Sequence, residues 1–280
     1  MSARPLIIDE PSHPRVRAAR RCHTATGRAQ TGRFLAEGVQ AAREALATPG
    51  AVLEVLATPD WLDGPTALPV TDVPVHVVSD RVLDAVAETD SPQGVVAVCR
   101  DVTVGMDVLL ARRPGLVVVL AEVRDPGNAG TIIRTADAAG ADGVVLTSAS
   151  VDPLGGKCVR ASVGSLFHLP IVTGQDVDVL ARLQDAGLTA LAADGTATRS
   201  IADPAVRARL AGATAWVVGN EAHGVPASYA DAADERVAVP LYGRAESLNV
   251  SIATALCLYA SAQAQREAGL PDDGAGPVRH

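Results

Sequence analysis

From Leu116 onward the chain repeats one pattern: a short aliphatic, β-branched run, then a glycine-bearing or polar junction, then a helical stretch. The clearest run, Leu116 to Ala121 (L-V-V-V-L-A), has no polar face, as expected of a strand covered on both sides in a parallel sheet. Further strands are predicted at 143–147, 169–172, 188–193, 215–218 and 236–239, and helices at 129–139 and 177–186. About six strands alternating with helices predict an α/β domain with a parallel sheet. A last helix over 248–266 carries apolar residues at 248, 252, 255, 256 and 259, one face at helical period.

The first hundred residues repeat the alternation on a smaller scale. Strands are predicted at 33–38, 51–57, 73–78 and 94–100, with helices at 39–47 and 80–87. A length of 280 residues suits two domains. The expected division is a smaller α/β domain over 1–105, a linker over 106–115 that ends in a Pro–Gly pair, a second domain over 116–268, and a disordered Pro/Gly/Asp-rich tail over 269–280.

Composition narrows the function. Aromatic residues are only 2% of the chain, so the core is aliphatic, and a module that works mainly by stacking bases on rings is disfavoured. No apolar run approaches the roughly 20 residues of a membrane span, and the first ten residues do not resemble a secretory signal. The expectation is a soluble, cytoplasmic protein. The cysteines at 22, 99, 158 and 257 form no C-x-x-C pair, which predicts free thiols in a reducing compartment and no metal site. Cys22–His23 is the only Cys/His neighbour pair and reads as incidental. Net charge is −8, yet residues 1–34 carry +5 and the remainder −13. A basic arm of Arg15, Arg17, Arg20, Arg21, Arg28 and Arg33 could meet phosphates locally; a solvated helix face is the alternative.

In an open parallel sheet, ligands bind beyond the carboxyl ends of the strands. Three irregular segments fall there. The first, Glu122 to Arg134, turns at Pro126–Gly127 and offers Asn128 as a helix N-cap; read locally, it is a capped helix with a surface arginine. The second, Val218 to Pro226, places Gly219 directly after a strand, where a glycine permits close backbone approach to a ligand, followed by Glu221 and His223. A lone histidine of this kind is more often an ordinary hydrogen-bonding residue than a base. The third, Val239 to Ser251, runs from a strand through an irregular loop to Ser247 and Asn249, residue types that usually cap helices. Neither G-x-G-x-x-G nor G-x-x-x-x-G-K-[ST] is present, which disfavours a nicotinamide-dependent oxidoreductase and a phosphate-loop enzyme.

Taken together, N-x-G-x-x-x-R at 128–134, G-N-E-x-x-G at 219–224 and P-L-x-x-x-x-E-S-L-N-V-S at 240–251 resemble the three motifs of the SpoU/TrmH branch of the SPOUT methyltransferases. K-x-x-R-A-S-x-G-S at 157–165 resembles that branch too, and F-L-A-E-G at 34–38 is similar to the opening of the substrate-binding domain often fused ahead of the catalytic one. The resemblance implies a trefoil-knotted α/β domain preceded by a smaller ribosomal-protein-like RNA-binding domain. It further implies a homodimer with its site at or near the subunit interface, S-adenosylmethionine as cofactor, and a ribose 2′-hydroxyl of RNA as acceptor. Ribosomal RNA is favoured over transfer RNA because of the separate front domain.

By the same resemblance, Arg134 matches the catalytic arginine, Asn128 the residue that helps place it, Glu221 the acidic position of the second motif, and Ser247 and Asn249 the polar pair of the third. Ala193, Asp194, Gly195, Gly219, Asn220, Gly224, Val239, Leu241 and Leu248 correspond to the cofactor pocket, and Arg160 joins the arm arginines as an RNA contact. The family's proposal makes the arginine a base. A guanidinium with a pKa above about 12 is better suited to remain cationic, hold a phosphate and stabilise an emerging alkoxide. The competing expectations are an RNA-binding protein that keeps this fold without turnover, and a tRNA-directed methyltransferase.

Overall fold

The computed structural model describes residues 7–69, 72–220 and 224–269. In chain order the helices are α1 Pro14–Arg20, α2 Ala25–Thr31, α3 Val39–Ala47, α4 Pro59–Leu62, α5 Asp80–Val86, α6 Met106–Ala111, α7 Pro126–Ala139, α8 Gly156–Ser162, α9 Val179–Asp185, α10 Pro204–Leu210, α11 Ala227–Ala232 and α12 Val250–Glu267. The strands are β1 Arg33–Glu37, β2 Val52–Ala57, β3 Val75–Val77, β4 Val95–Arg100, β5 Leu116–Leu120, β6 Gly143–Thr147, β7 Ile171–Gln175, β8 Thr189–Ala193, β9 Thr214–Val218 and β10 Glu235–Val237. The chain divides into two units: residues up to Val102 together with Asp152–Phe167, and Thr103–Val151 together with residues from His168 onward.

The first unit is built on a four-stranded sheet in the order β1-β4-β2-β3, antiparallel except for the β2/β3 pair. Its expected arginine arm is instead folded. Pro14 starts α1, where a missing N–H costs nothing, Thr24 Oγ1 accepts from Gly27 N at 3.1 Å to cap α2, and Gly32 ends α2 at φ 62°. Val16, Ala19 and Cys22 pack with Leu35, Val96 and Val98, so apolar residues interleaved among the arginines order the segment. Arg28 points inward with them. It is 8% exposed, with Nη2 2.7 Å from Asp152 Oδ2 and Nη1 donating to the Cys22 carbonyl at 2.7 Å.

Asp152–Phe167 joins this unit for the same reason. Besides the Arg28–Asp152 pair, Arg160 Nη1 lies 3.0 Å from Glu37 Oε2, and the Phe34 and Phe167 rings stack at 5.9 Å. The segment was expected within 116–268. The linker expected at 106–115 also differs: Met106–Ala111 is helix α6, and Met106 and Leu109 are buried in the core of the second unit. Only Gly269 of the predicted tail is among the described residues.

The second unit carries a six-stranded, wholly parallel sheet in the order β10-β8-β9-β5-β6-β7. Strands β5, β6 and β9 are buried along their whole length, as their unbroken apolar runs require. Helix α12 buries Val250, Ser251, Thr254, Cys257, Leu258, Ser261, Ala262 and Ala264. This is not the apolar face read from the sequence: Ile252, Leu256 and Tyr259 are 52%, 43% and 53% exposed. The buried side suits its neighbours through polar complementarity, since Trp216 Nε1 donates to Ser261 Oγ at 2.8 Å and Thr214 Oγ1 to the same oxygen at 3.2 Å. No helix among the described residues is long and apolar enough to cross a membrane.

Candidate active site

Strands β5 and β9 sit side by side in the sheet, yet β5 leads on to β6 on one flank while β9 is reached from β8 on the other. Such a reversal opens a crevice beyond the carboxyl ends of the strands. The first and second segments begin there, after β5 and β9, and the third begins beyond the carboxyl end of the edge strand β10.

After β5, Glu122 adopts φ 59°, a conformation uncommon outside glycine, and its N–H donates to Thr147 Oγ1 at 3.1 Å. Asp125, not Asn128, caps α7: its Oδ1 accepts from Asn128 N at 2.8 Å, with Pro126 in the first helical position. The Asp-Pro-Gly run carries that signal, because proline favours the first helical position and aspartate the cap. Freed from capping, the Asn128 side chain accepts a hydrogen bond from Asn249 Nδ2 at 3.1 Å, joining the first and third segments across 121 positions. Asn249 is also the cap of α12, its Oδ1 accepting from Ser251 N at 2.9 Å.

Arg134 lies six residues beyond Asn128, which places it about 9 Å further along α7 and roughly 120° around its axis. It is exposed. The structure therefore does not put the two on one face. Arg134 instead shares a stripe with Ala138, whose carbonyl accepts from Tyr259 Oη at 3.4 Å, on the exposed apolar side of α12.

The second segment folds back on itself. Asn220 N donates to Gly224 O at 3.2 Å and Gly224 N to Asn220 O at 2.9 Å. A Cβ on Gly219 would stand 1.8 Å from the Gly224 carbonyl oxygen, so this glycine serves close approach of backbone to backbone, not of backbone to ligand. Glu221 and His223 lie outside the described residues.

Beyond β8 and β10 the chain runs in parallel with itself. Asp194 N donates to Val237 O at 3.0 Å, and Asp194 Oδ1 accepts from Thr196 N at 2.8 Å, closing a turn around the exposed Gly195. Ala193, Val239 and Leu248 are partly buried, while Leu241 and Ser247 are exposed in the loop that leads to Asn249. Burial pushes the Cys257 thiol up to about 12 and also raises Cys22, Cys99 and the Tyr229 hydroxyl, the latter opposed by a bond to Thr147. Those shifts disfavour thiolate chemistry. Among the described residues no group of three or more His, Cys, Asp and Glu could hold a metal ion.

The arginines expected to contact RNA divide. Arg17, Arg20, Arg21 and Arg33 are exposed. Arg15 is engaged with Glu54 at 2.5 Å, and Arg160 with Glu37 and Glu88. Arg28 is withdrawn from that role by burial and its pair with Asp152.

Residues 115–259 match the model of the SpoU rRNA Methylase family, and residues 13–97 match an MRM3-like substrate binding domain. The 23S rRNA (guanosine(2553)-2′-O)-methyltransferase RlmP of Bacillus subtilis (strain 168) is 37% identical over 252 residues, covering 90% of this chain and 97% of that protein. Among solved structures, an AdoMet-bound rRNA methyltransferase from Sinorhizobium meliloti is 29% identical with a TM-score of 0.77, covering 92% of this chain and 97% of the other. The SpoU methyltransferase AviRb from Streptomyces viridochromogenes, in complex with AdoMet, is 26% identical with a TM-score of 0.79, covering 91% and 98%. With its three segments gathered at the carboxyl ends of a parallel sheet and these relatives spanning nearly its whole length, the chain belongs to the SpoU rRNA methylase family.

Proposed function

We propose that this protein transfers a methyl group from S-adenosylmethionine to a ribose 2′-hydroxyl of ribosomal RNA, in the cytoplasm. The observation that carries the reading is the Asn249–Asn128 hydrogen bond, which ties the third segment to the first at the ligand-binding end of the sheet. The residues there suit such a cofactor: Leu241 and Leu248 offer apolar surface to a nucleoside, the Asp194 carboxylate suits a cationic ligand, and Gly195 leaves open space where a Cβ would stand. Ala193, Asp194, Gly195, Val239, Leu241 and Leu248 would hold it, while Gly219, Asn220 and Gly224 contribute through the backbone turn they close. When bound, it supplies a methyl group on a sulfonium, open to in-line displacement by a ribose oxygen.

The chain's own work is orientation and charge stabilisation. In-line alignment supplies up to about 7–11 kcal/mol when ideal. Asn128 and Asn249 fix the start of α12 against the start of α7, so the loop carrying Ser247 is anchored on its C-terminal side. Arg134 stays cationic, holds a phosphate and stabilises the oxygen as its proton passes to solvent water, the sulfur leaving as a neutral thioether when the methyl is transferred. Ser247 adds a hydroxyl to the polar surround, and the family resemblance would make Glu221, outside the described residues, its acidic member. RNA is held by the exposed arginines of the first unit.

The site is proposed to form at the contact between two copies of the chain, each with a knotted C-terminal region. Two observations support the pairing. Ile252, Leu256 and Tyr259 form an exposed apolar stripe, and Arg134 lies on the α7 stripe that touches Tyr259, so a second copy seated there would stand beside Arg134.

The test is methyl transfer to unmodified ribosomal RNA by wild type, R134A and R134K, with 2′-O-methyl mapping of the product. Turnover should fall by roughly 10²–10³ in R134A. Near-normal turnover in R134K would show that the guanidinium fork is unnecessary and refute the assigned role. Calorimetry with S-adenosylmethionine discriminates a binder without turnover, which need not take up the cofactor.

A further inference from the structure

In the first unit, Arg33 on the edge strand β1 stands directly opposite Arg100 on β4. Arg100 N donates to Ala51 O at 2.9 Å, toward the β2 side, while the next residue, Asp101, donates back to Gly32 O at 2.8 Å. In an antiparallel ladder this alternation makes Arg33 and Arg100 a non-hydrogen-bonded pair, the type whose side chains approach most closely. Both side chains are exposed, and neither forms an ion pair with a carboxylate among the described residues.

Their surroundings are positive as well. Arg33 alternates with Leu35, and Arg100 with Val98, on the face that packs on Val16, Ala19 and Cys22. The charges of Arg33, Arg28 and Arg21 all bear on the Cys22 thiol, so they converge at one end of that face. Arg28 is spent on Asp152, and Arg21 is exposed and bonded only to the neutral Gln30. Like charges directly opposite each other across strands destabilise a sheet. A chain that keeps such a pair at an exposed edge, without a carboxylate to offset it, has the makings of an anion site.

We propose that Arg33 and Arg100, flanked by Arg21, form a clamp on the substrate-binding unit that grips a backbone phosphate of the RNA. The clamp rests on the reading of the chain as an RNA methyltransferase, and it gives Arg100 a role that sequence did not suggest. It commits to phosphate over base, because guanidinium forks match phosphate oxygens bidentately.

The test uses the full chain and an unmodified 23S rRNA transcript, with binding measured from 50 to 200 mM salt for wild type, R33Q/R100Q and R182Q. The double replacement should flatten the log–log salt dependence by about 0.7–0.9, the value of one phosphate contact. R182Q, whose arginine pairs with Asp107 in the other unit, should leave the slope unchanged. A second variant keeps the proposal exposed to failure. R100E places a carboxylate opposite Arg33, so it should raise the melting temperature by about 2–4 °C while weakening RNA binding.

An unchanged slope in R33Q/R100Q, or a lower melting temperature in R100E, overturns the clamp. Methyl transfer to the same transcript is followed in parallel. Transfer by the wild type with unchanged slopes refutes the clamp alone, whereas absence of transfer refutes the functional reading and leaves the slopes to judge the clamp.

Discussion

On the proposed pairing of two copies through α12, replacing Leu256 by alanine should weaken that pairing about 30-fold while hardly changing the stability of the subunit. The substitution removes three carbons, worth about 0.8 kcal/mol each when fully buried. Leu256 is 43% exposed, so a partner could cover a little under half of that surface, or about 1 kcal/mol. A two-fold contact counts each change twice, giving about 2 kcal/mol per dimer, and 1.4 kcal/mol is tenfold in Kd. Sedimentation velocity over a dilution series measures the shift, and a thermal melt should move little because the site is half exposed in the subunit. Methyl transfer should fall in step with the dimer fraction if Arg134 works beside a second copy. A wild-type protein that stays monomeric at micromolar concentration with full activity would refute the reasoning, and so would a dimer whose Kd shifts less than threefold in L256A.

Three further outcomes follow from burial. S261A leaves the buried Trp216 indole N–H without its acceptor and should cost about 1–3 kcal/mol in denaturant unfolding. R28A should cost about 1.5–3 kcal/mol through loss of its bonds to Asp152 and Cys22, yet leave the salt dependence of RNA binding unchanged; a flattened slope would return Arg28 to the RNA surface. The Cys257 thiol, raised to about 12 by burial from an ordinary value of 9.0, stays protonated in the folded chain at pH values where the unfolded chain loses its proton. Its stabilising contribution is therefore complete below about pH 9 and declines toward pH 12, by about 1.4 kcal/mol per unit, and C257A should remove that part of the alkaline slope.

Much of the second unit is legible in the sequence, because its signals are local. Unbroken runs such as L-V-V-V-L report a strand buried on both faces whatever its neighbours are, and β5, β6 and β9 lie on such runs, whereas β7 starts two residues later than expected and runs on to Gln175, and β10 is the short E-R-V of Glu235–Val237. The Asp-Pro-Gly turn likewise contains the true cap of α7, Asp125, one turn before the Asn128 that the cap preference alone also allows. The three candidate segments could be found as strand-end irregularities, and the Asn249–Asn128 bond brings the first and third together. The second, at 219–224, closes on its own backbone through the Asn220–Gly224 bonds.

What periodicity could not supply was the identity of the partner. The apolar stripe on α12 was plain in the sequence, but only the packing decided that serines, threonine and a cysteine face the core while Ile252, Leu256 and Tyr259 remain uncovered. The arginine-rich start gave charge without direction; Arg28 turned inward because Asp152, 124 residues away, waits there, and Arg33 met Arg100 because a strand register set them opposite. Hydrophobic period and turn chemistry are written in neighbouring residues, so the chain alone located most of its strands and helices and the irregular segments at the strand ends. Burial and pairing depend on residues far apart in sequence, so the fate of each surface side chain was settled only when the chain closed on itself.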